Sequence, residues 1–378
     1  MSFRSLFVFL VFGCCRMATL EAQNFKTLEL LKDSTSQAIN IRLESVSFVK
    51  NNEFDSDFTD GFTGIGFTFK PTLEYWATQG TRINAGVFLQ KYSGQDDFFK
   101  TIPIFTVQQK LTQDLDLVLG SIYGNLNHDL DEPLYRVDNF YQDNVEYGLQ
   151  LLWQKPKIRS DFWIAWNQFI LRGDSFQEQW TAGANVEYEL LKYASLKLSI
   201  PFQTMLFHYG GEIDTSPDPV LSILNTKIGL RLTHTLSENT SWQFDQALYI
   251  YNGLNLPETG VHAQAFDQGY AIYLKAYLNH KNLAFNLAYW YADSFIAPMG
   301  EYLLLNQGEF GVTNAVDSKS FLNAGFRIHK DIKKNMRLEF DVRGYFDLDN
   351  QKFSHAMGLY FFMNDVFGIG KVGNVIDQ

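Results

Sequence analysis

The sequence predicts an all-β fold: a closed, antiparallel, up-and-down transmembrane β-barrel of about 16 strands. Three observations carry the prediction. Polar and apolar residues alternate with period two in segment after segment from 39 to 363. Most segments run well past the ~5–6 residues usual in soluble sheets and reach the ~9–11 that a tilted strand needs to cross a bilayer. The connections alternate short and long, as they do when one rim of a cylinder has tight turns and the other has loops.

The N-terminus comes first. Residues 1–22 read as a signal peptide, with Arg4, an apolar run from Leu6 to Phe12 and cleavage after Ala22, although Leu20 fits such a site poorly. "VFGC" around Cys14 and Cys15 is a loose lipoprotein-type alternative. Under ordinary cleavage the mature chain has no cysteine, which suits an exported protein without disulfides. Residues 23–38 hold the one short helix-type pattern, "FKTLELLKDS", and form a periplasmic or plug segment. The barrel follows over 39–363, with strands near 39–50, 62–77, 82–92, 100–110, 114–124, 144–153, 159–170, 178–190, 194–207, 222–235, 239–251, 267–279, 282–291, 319–329, 335–347 and 352–363. Residues 364–378 form a tail.

Parity assigns the two faces of the wall. In "NLAFNLAYWY" (282–291), Leu283, Phe285, Leu287 and Tyr289 share one face, and Asn282, Ala284, Asn286 and Ala288 share the other. In 335–347, Leu338, Phe340 and Val342 oppose Arg337, Glu339, Asp341 and Arg343. Each Arg or Lys moved to face lipid at the midplane costs about 2–4 kcal/mol, so slipping this strand by one residue costs roughly 4–8 kcal/mol for its arginines alone. A soluble sandwich also alternates, but it explains neither the strand lengths nor the loop pattern. The apolar faces therefore meet acyl chains. Aromatic residues near strand ends (Tyr75, Trp76, Trp153, Trp163, Trp242, Tyr249, Tyr270 and Tyr289 to Tyr291) suit interfacial girdles, with some facing the lumen.

The composition agrees. Of 378 residues, 46% are hydrophobic and 16% aromatic, yet after the N-terminus no run of ~18 apolar residues allows a helical span. A formal charge of −11 excludes a nucleic-acid partner. The acidity gathers in segments such as "NNEFDSDFTD" and "NHDLDEPLYRVDN", which read as solvated loops or as a surface for divalent ions or a partner.

The whole pattern resembles bacterial outer-membrane β-barrels of porin type over about residues 39–363. The resemblance is architectural and has no specific motif. It implies that the third long loop, 125–143, folds into the lumen as a constriction, where Asp129, Asp131, Glu132, Asp138 and Asp143, with Arg136 among them, would favour cations. The alternative is a solvated surface loop. Such barrels commonly end on an aromatic residue, whereas this chain continues past Phe361 and Phe362.

Candidate pore-lining residues are Arg42, Glu44, Lys70, Asp161, Glu187, Glu189, Lys197, Lys227, Arg231, Lys275, Arg327, Arg337, Glu339, Asp341 and Arg343. They either set a transverse field that orders solutes or pair across strands. Neither metal-ligand spacing nor a nucleotide loop is present, and no cofactor is expected. "HYGGEID" (208–214) and "HAQAFD" (262–267) each offer a His near an acid, but without a recognisable partner set they read as loop residues. The expectation is a non-enzymatic, porin-like channel of the bacterial outer membrane for passive diffusion of small polar solutes. The alternative is a non-conducting barrel subunit of an assembly, secretion or uptake complex. Its partners are outer-membrane lipid and other proteins, through the long loops or the tail.

Overall fold

The computed structural model describes residues 28, 30–31, 36–142 and 144–372. The expected signal peptide, with Cys14 and Cys15, lies outside the described residues. Sixteen strands form the wall: β1 (Ala38–Glu53), β2 (Thr63–Thr78), β3 (Thr81–Tyr92), β4 (Lys100–Thr112), β5 (Leu115–Ser121), β6 (Tyr147–Lys155), β7 (Ile158–Gln168), β8 (Gln179–Tyr193), β9 (Leu196–Tyr209), β10 (Leu221–Ser237), β11 (Thr240–Asn255), β12 (Gln268–His280), β13 (Leu283–Asp293), β14 (Ser318–Lys333), β15 (Met336–Asp347) and β16 (Phe353–Lys371). Each pairs antiparallel with its sequence neighbours, and β1 closes on β16.

The faces follow parity. On β13, Phe285, Leu287 and Tyr289 are exposed on the outside, whereas Trp290 is fully buried within. On β15, Leu338 and Phe340 point out, and Glu339 and Asp341 are buried inside. The girdle divides as the alternation requires. Trp76, Trp163 and Tyr249 are buried inward, and Tyr270 is exposed outside.

Several strands, such as β1, β8, β11 and β14, run three or four residues past their expected ends, and two departures shape the bore. The strand expected over 114–124 stops at Ser121. Gly120 adopts φ 88°, and a Cβ there would collide with the Phe105 carbonyl oxygen, so only glycine allows the wall to break off here. The chain then turns inward through a 3₁₀ turn at Asn125–His128. At the other end, 364–371 is no tail. It continues β16 and pairs with β1 as far as Ala38↔Lys371.

A barrel of this width leaves a water-filled interior unless something fills it. Two of the long connections do so. Leu130, Leu134, Tyr135 and Tyr141 from one, and Phe295, Ile296, Leu303 and Leu304 from the other, form a hydrophobic core with inward residues such as Phe48, Ile223 and Trp290. Buried loop backbone must be hydrogen-bonded, and the wall supplies the donors. Asn225 Nδ2 donates to the Ile296 carbonyl (2.7 Å), Trp290 Nε1 to Leu304 (2.7 Å) and Lys319 Nζ to Leu305 (3.0 Å). The two connections also bind each other: Arg136 N donates to the Met299 carbonyl at 2.8 Å, and Glu301 N to Glu132 at 3.0 Å. From the expected plug segment, Leu31 N donates to Asp116 Oδ2 (2.6 Å) and Leu28 N to Asn127 Oδ1 (3.1 Å), which places these residues inside the periplasmic end of the bore.

Candidate functional sites in the bore and on the outer wall

The acidic loop lies inside the barrel, so the solvated-surface alternative is wrong. Asp143 lies outside the described residues; the loop's four other acids do not line an open cation path, because each meets a cation. Asp131 is 1% exposed; its Oδ2 lies 2.5 Å from Lys227 Nζ and accepts from Lys275 Nζ (2.9 Å) and the Tyr249 hydroxyl. Burial alone would raise this carboxyl, but Lys227 and its neighbours hold it below its usual value. Glu132 accepts from Arg343 (3.2 Å) and Tyr345 (2.8 Å), Asp129 from Arg159 (2.9 Å), and Asp138 from Lys50. Arg136 sits 4.6 Å over the Tyr302 ring.

The remaining expected lining residues, Glu189 apart, also pair. Arg231 grips Asp245 with Nε and Nη2 and reaches Glu187 at 3.2 Å, while Lys197 holds Glu187 at 2.7 Å. Arg327 contacts Glu339 (3.2 Å) and Asp341 (3.4 Å), and Arg343 also contacts Asp341 (3.1 Å). Arg337 pairs with Asp331 at 2.6 Å, Lys70 with Glu44 at 2.5 Å, and Arg42 with Glu74 at 2.6 Å. Glu189 is half-buried near the periplasmic end of β8. Of the two expected arrangements, the structure has ion pairs across strands and between wall and loop.

Three histidines differ in what their ring nitrogens face. His128, 1% exposed and stacked 3.7 Å from Trp163, points Nδ1 at Asp161 (2.8 Å) and Nε2 at Glu146 (3.2 Å). Both partners only accept, so both nitrogens carry protons. Burial alone would push the imidazole down, but the two carboxylates raise it to about 9. His128 is a fixed cation that ties the loop to β7.

His208 is different. It lies on the outward face at the extracellular end of β9, directly opposite Ser222 on β10 and Trp180 on β8. Its Nε2 faces the Gly210 carbonyl at 2.9 Å and must carry the proton. Nδ1 is then a lone pair, and it accepts from the Ser222 hydroxyl at 2.8 Å. The His208 ring stacks on Trp180 (4.9 Å), and Trp180 lies beside Trp166, whose Nε1 donates to Glu178 (2.7 Å). A serine with an imidazole base, on the lipid side of the wall at girdle height, is the arrangement of nucleophilic acyl transfer.

His234 is the built-in contrast. Trp242 Nε1 donates to its Nδ1 at 3.1 Å, which forces the proton onto Nε2, and Ser195 becomes the acceptor at 2.9 Å. It cannot activate that serine. His262 stacks on Tyr209 and bonds Gln177, which fits the expected loop role. The ninth strand expected over 194–207 stops one residue short of His208, which places His208 in a loop and hides its pairing with Ser222. The available signal was parity: both are polar residues on a mostly apolar face, whose other polar pair is Thr204 with Thr226. Among the described residues no cluster of His, Cys, Asp or Glu could hold a metal ion.

Comparison with known families decides the class. The family described as "Lipid A 3'-O-deacylase-type" matches residues 31–372. The chain belongs to this family. Its named activity is enzymatic, and that overturns the expectation of a non-enzymatic chain. The chain also resembles OprD of Pseudomonas aeruginosa, at 11% identity and TM-score 0.52 over 92% of this chain and 100% of that one. A substituted variant of OccD1 (OprD) matches at 11% identity and TM-score 0.54, covering 91% and 100%. A loop-deletion mutant of OmpT, an outer membrane protein of Vibrio cholerae, matches at 10% and 0.51, covering 87% and 100%. At such identities these likenesses speak for the fold alone, a closed barrel of porin type. No curated protein matches.

Proposed function

We propose that this member of the deacylase-type family cleaves an acyl ester of an outer-leaflet lipid of the lipid A class, on the outside of its barrel. The Ser222–His208 contact carries the reading. Ser222 Oγ attacks the ester carbonyl while its proton moves to His208 Nδ1. The same proton passes to the departing alkoxide. A water molecule, deprotonated by His208, then releases the fatty acid and restores Ser222. The Gly210 carbonyl keeps the imidazole in the required tautomer. The site stands where an ester at the base of a headgroup would lie, with apolar wall below it for the acyl chain. The test is mass spectrometry of lipid A incubated with purified protein. His208→Gln is expected to slow deacylation by about 10²–10⁴-fold, and Ser222→Ala to abolish it. Wild-type rates in Ser222→Ala would place the reaction elsewhere.

A second reading is passive movement of small polar solutes. A cavity of about 120 Å³ between the acidic loop and the inward face of β1 to β5 supports it. Stable single-channel steps in planar bilayers are its expected signature, and an intact but electrically silent barrel rejects it.

A further inference from the structure

The register decides which part of the wall lies beneath the Ser222–His208 pair. The row of directly paired residues that starts at Asn40, near the lower end of β1, ends at Ile223, near the upper end of β10. Rows therefore climb as the strand number rises. A line dropped from Ser222 into the bilayer crosses β9, then β8, then β7. With strands tilted by about 45° and spaced by about 4.8 Å, each strand crossed lowers the line by about 7 Å. It passes Leu206 on β9 and arrives between Ala182 and Ala184 on β8, about 14 Å below Ser222, which is close to the depth of one leaflet's hydrocarbon.

The wall is recessed at this point. Phe162, Trp166 and Tyr188 face outward on β7 and β8 and are 38%, 40% and 42% exposed, whereas Ala184 is 8% exposed and Ser160 4%. On the outward faces of the sixteen strands these two alone are buried among the described residues, apart from Ser121 where the wall breaks off. Phe162 and Thr204 stand directly opposite Ala184 on its two neighbouring strands, and Val186 stands opposite Ser160. The short side chain of Ala184 is thus the floor of a depression, with larger side chains on either hand.

We propose, resting on the deacylation reading, that this depression seats the end of the acyl chain whose ester Ser222 attacks, and that Ala184 sets the preferred chain length. A chain that stops above β8 gains nothing from the depression. One that reaches it gains about tenfold or more in kcat/KM for a methylene lodged in an apolar pocket.

The test is ester hydrolysis by the full chain in detergent micelles, with p-nitrophenyl decanoate and p-nitrophenyl tetradecanoate as probes. The shorter chain ends above Ala184 and the longer one reaches it. Ala184→Phe fills the depression and is expected to lower kcat/KM for the tetradecanoate about tenfold while leaving the decanoate within about twofold. Ala276→Phe, on the outward face of β12, is expected to change neither. Equal effects of Ala184→Phe on the two esters, or no effect on either, in a folded barrel overturn the proposal. A second measurement needs no turnover. A tetradecanoyl ester with a terminal diazirine is photo-crosslinked to Ser222→Ala protein, and residues 182–186 are expected to be labelled in preference to 272–278. Labelling without that preference also overturns the proposal. Preferential labelling in a protein whose wild type hydrolyses neither ester removes the Ser222–His208 reading and leaves the seat, whereas Ser222-dependent hydrolysis with no discrimination of length does the reverse.

Discussion

Asp131→Asn is the sharpest perturbation of the packed bore. Asp131 Oδ2 lies 2.5 Å from Lys227 Nζ and 2.9 Å from Lys275 Nζ, and all three side chains are at most 2% exposed. The amide keeps the shape and removes the carboxylate charge that Lys227 and Lys275 share. Removing one partner of a buried ion pair costs about 3–5 kcal/mol. A loss within that range is expected. Urea unfolding in micelles, followed by the loss of heat-modifiable mobility on gels, measures the cost. Limited proteolysis shows whether the loop over 122–146 leaves the bore before the wall opens. A triple variant serves as the internal control. Asp131→Leu combined with Lys227→Met and Lys275→Met replaces the whole ionic cluster with apolar groups of similar volume, a change that is often neutral or stabilising. A triple variant near wild type, with the single variant far below it, is expected. An Asp131→Asn protein within about 0.5 kcal/mol of wild type would refute the assignment, and so would a triple variant as weak as the single one.

Other outcomes follow from the same geometry. The folded-state value of His128 is raised to about 9 from an unfolded ~6.5, so its contribution, about 3 kcal/mol, is fully present below pH ~6.5 and lost as pH rises through about 9; His128→Phe should flatten that part of the stability profile. Leu287→Arg puts a cation on the lipid face, where the leucine is 60% exposed, and should cost about 2–4 kcal/mol, measured by folding into lipid vesicles. A Cβ at Gly308 would collide with the Phe58 carbonyl oxygen, so Gly308→Val should loosen the connection over 294–317 and raise its protease sensitivity without opening the wall.

The wall was legible because its physics is local. Alternation along one strand records which face meets hydrocarbon, and no partner need be known to read it. Leu283, Phe285 and Leu287 declare the outside of β13 without help from β12 or β14. The filling of the bore was not legible in that way. Whether Asp131 faces water or two lysines depends on β10 and β12, which lie far away in sequence. Its acidity looked like a solvation signal because its counterions could not be seen. The wall site fell between these cases. His208 and Ser222 are adjacent only because the register places 208 opposite 222, and a boundary set one residue early was enough to hide them.

The loop that carries Asp131 has a mechanical consequence. From its roots between β5 and β6 it is fastened to Lys227 and Lys275 on one side and to Lys50, Arg343 and the Tyr360 hydroxyl around the closing seam on the other. A hollow tube flattens easily under lateral pressure, whereas one with a strut across its diameter stays round. The inner tie therefore holds the curvature of the β9–β10 wall constant, and with it the spacing between an imidazole and a hydroxyl that face the other way.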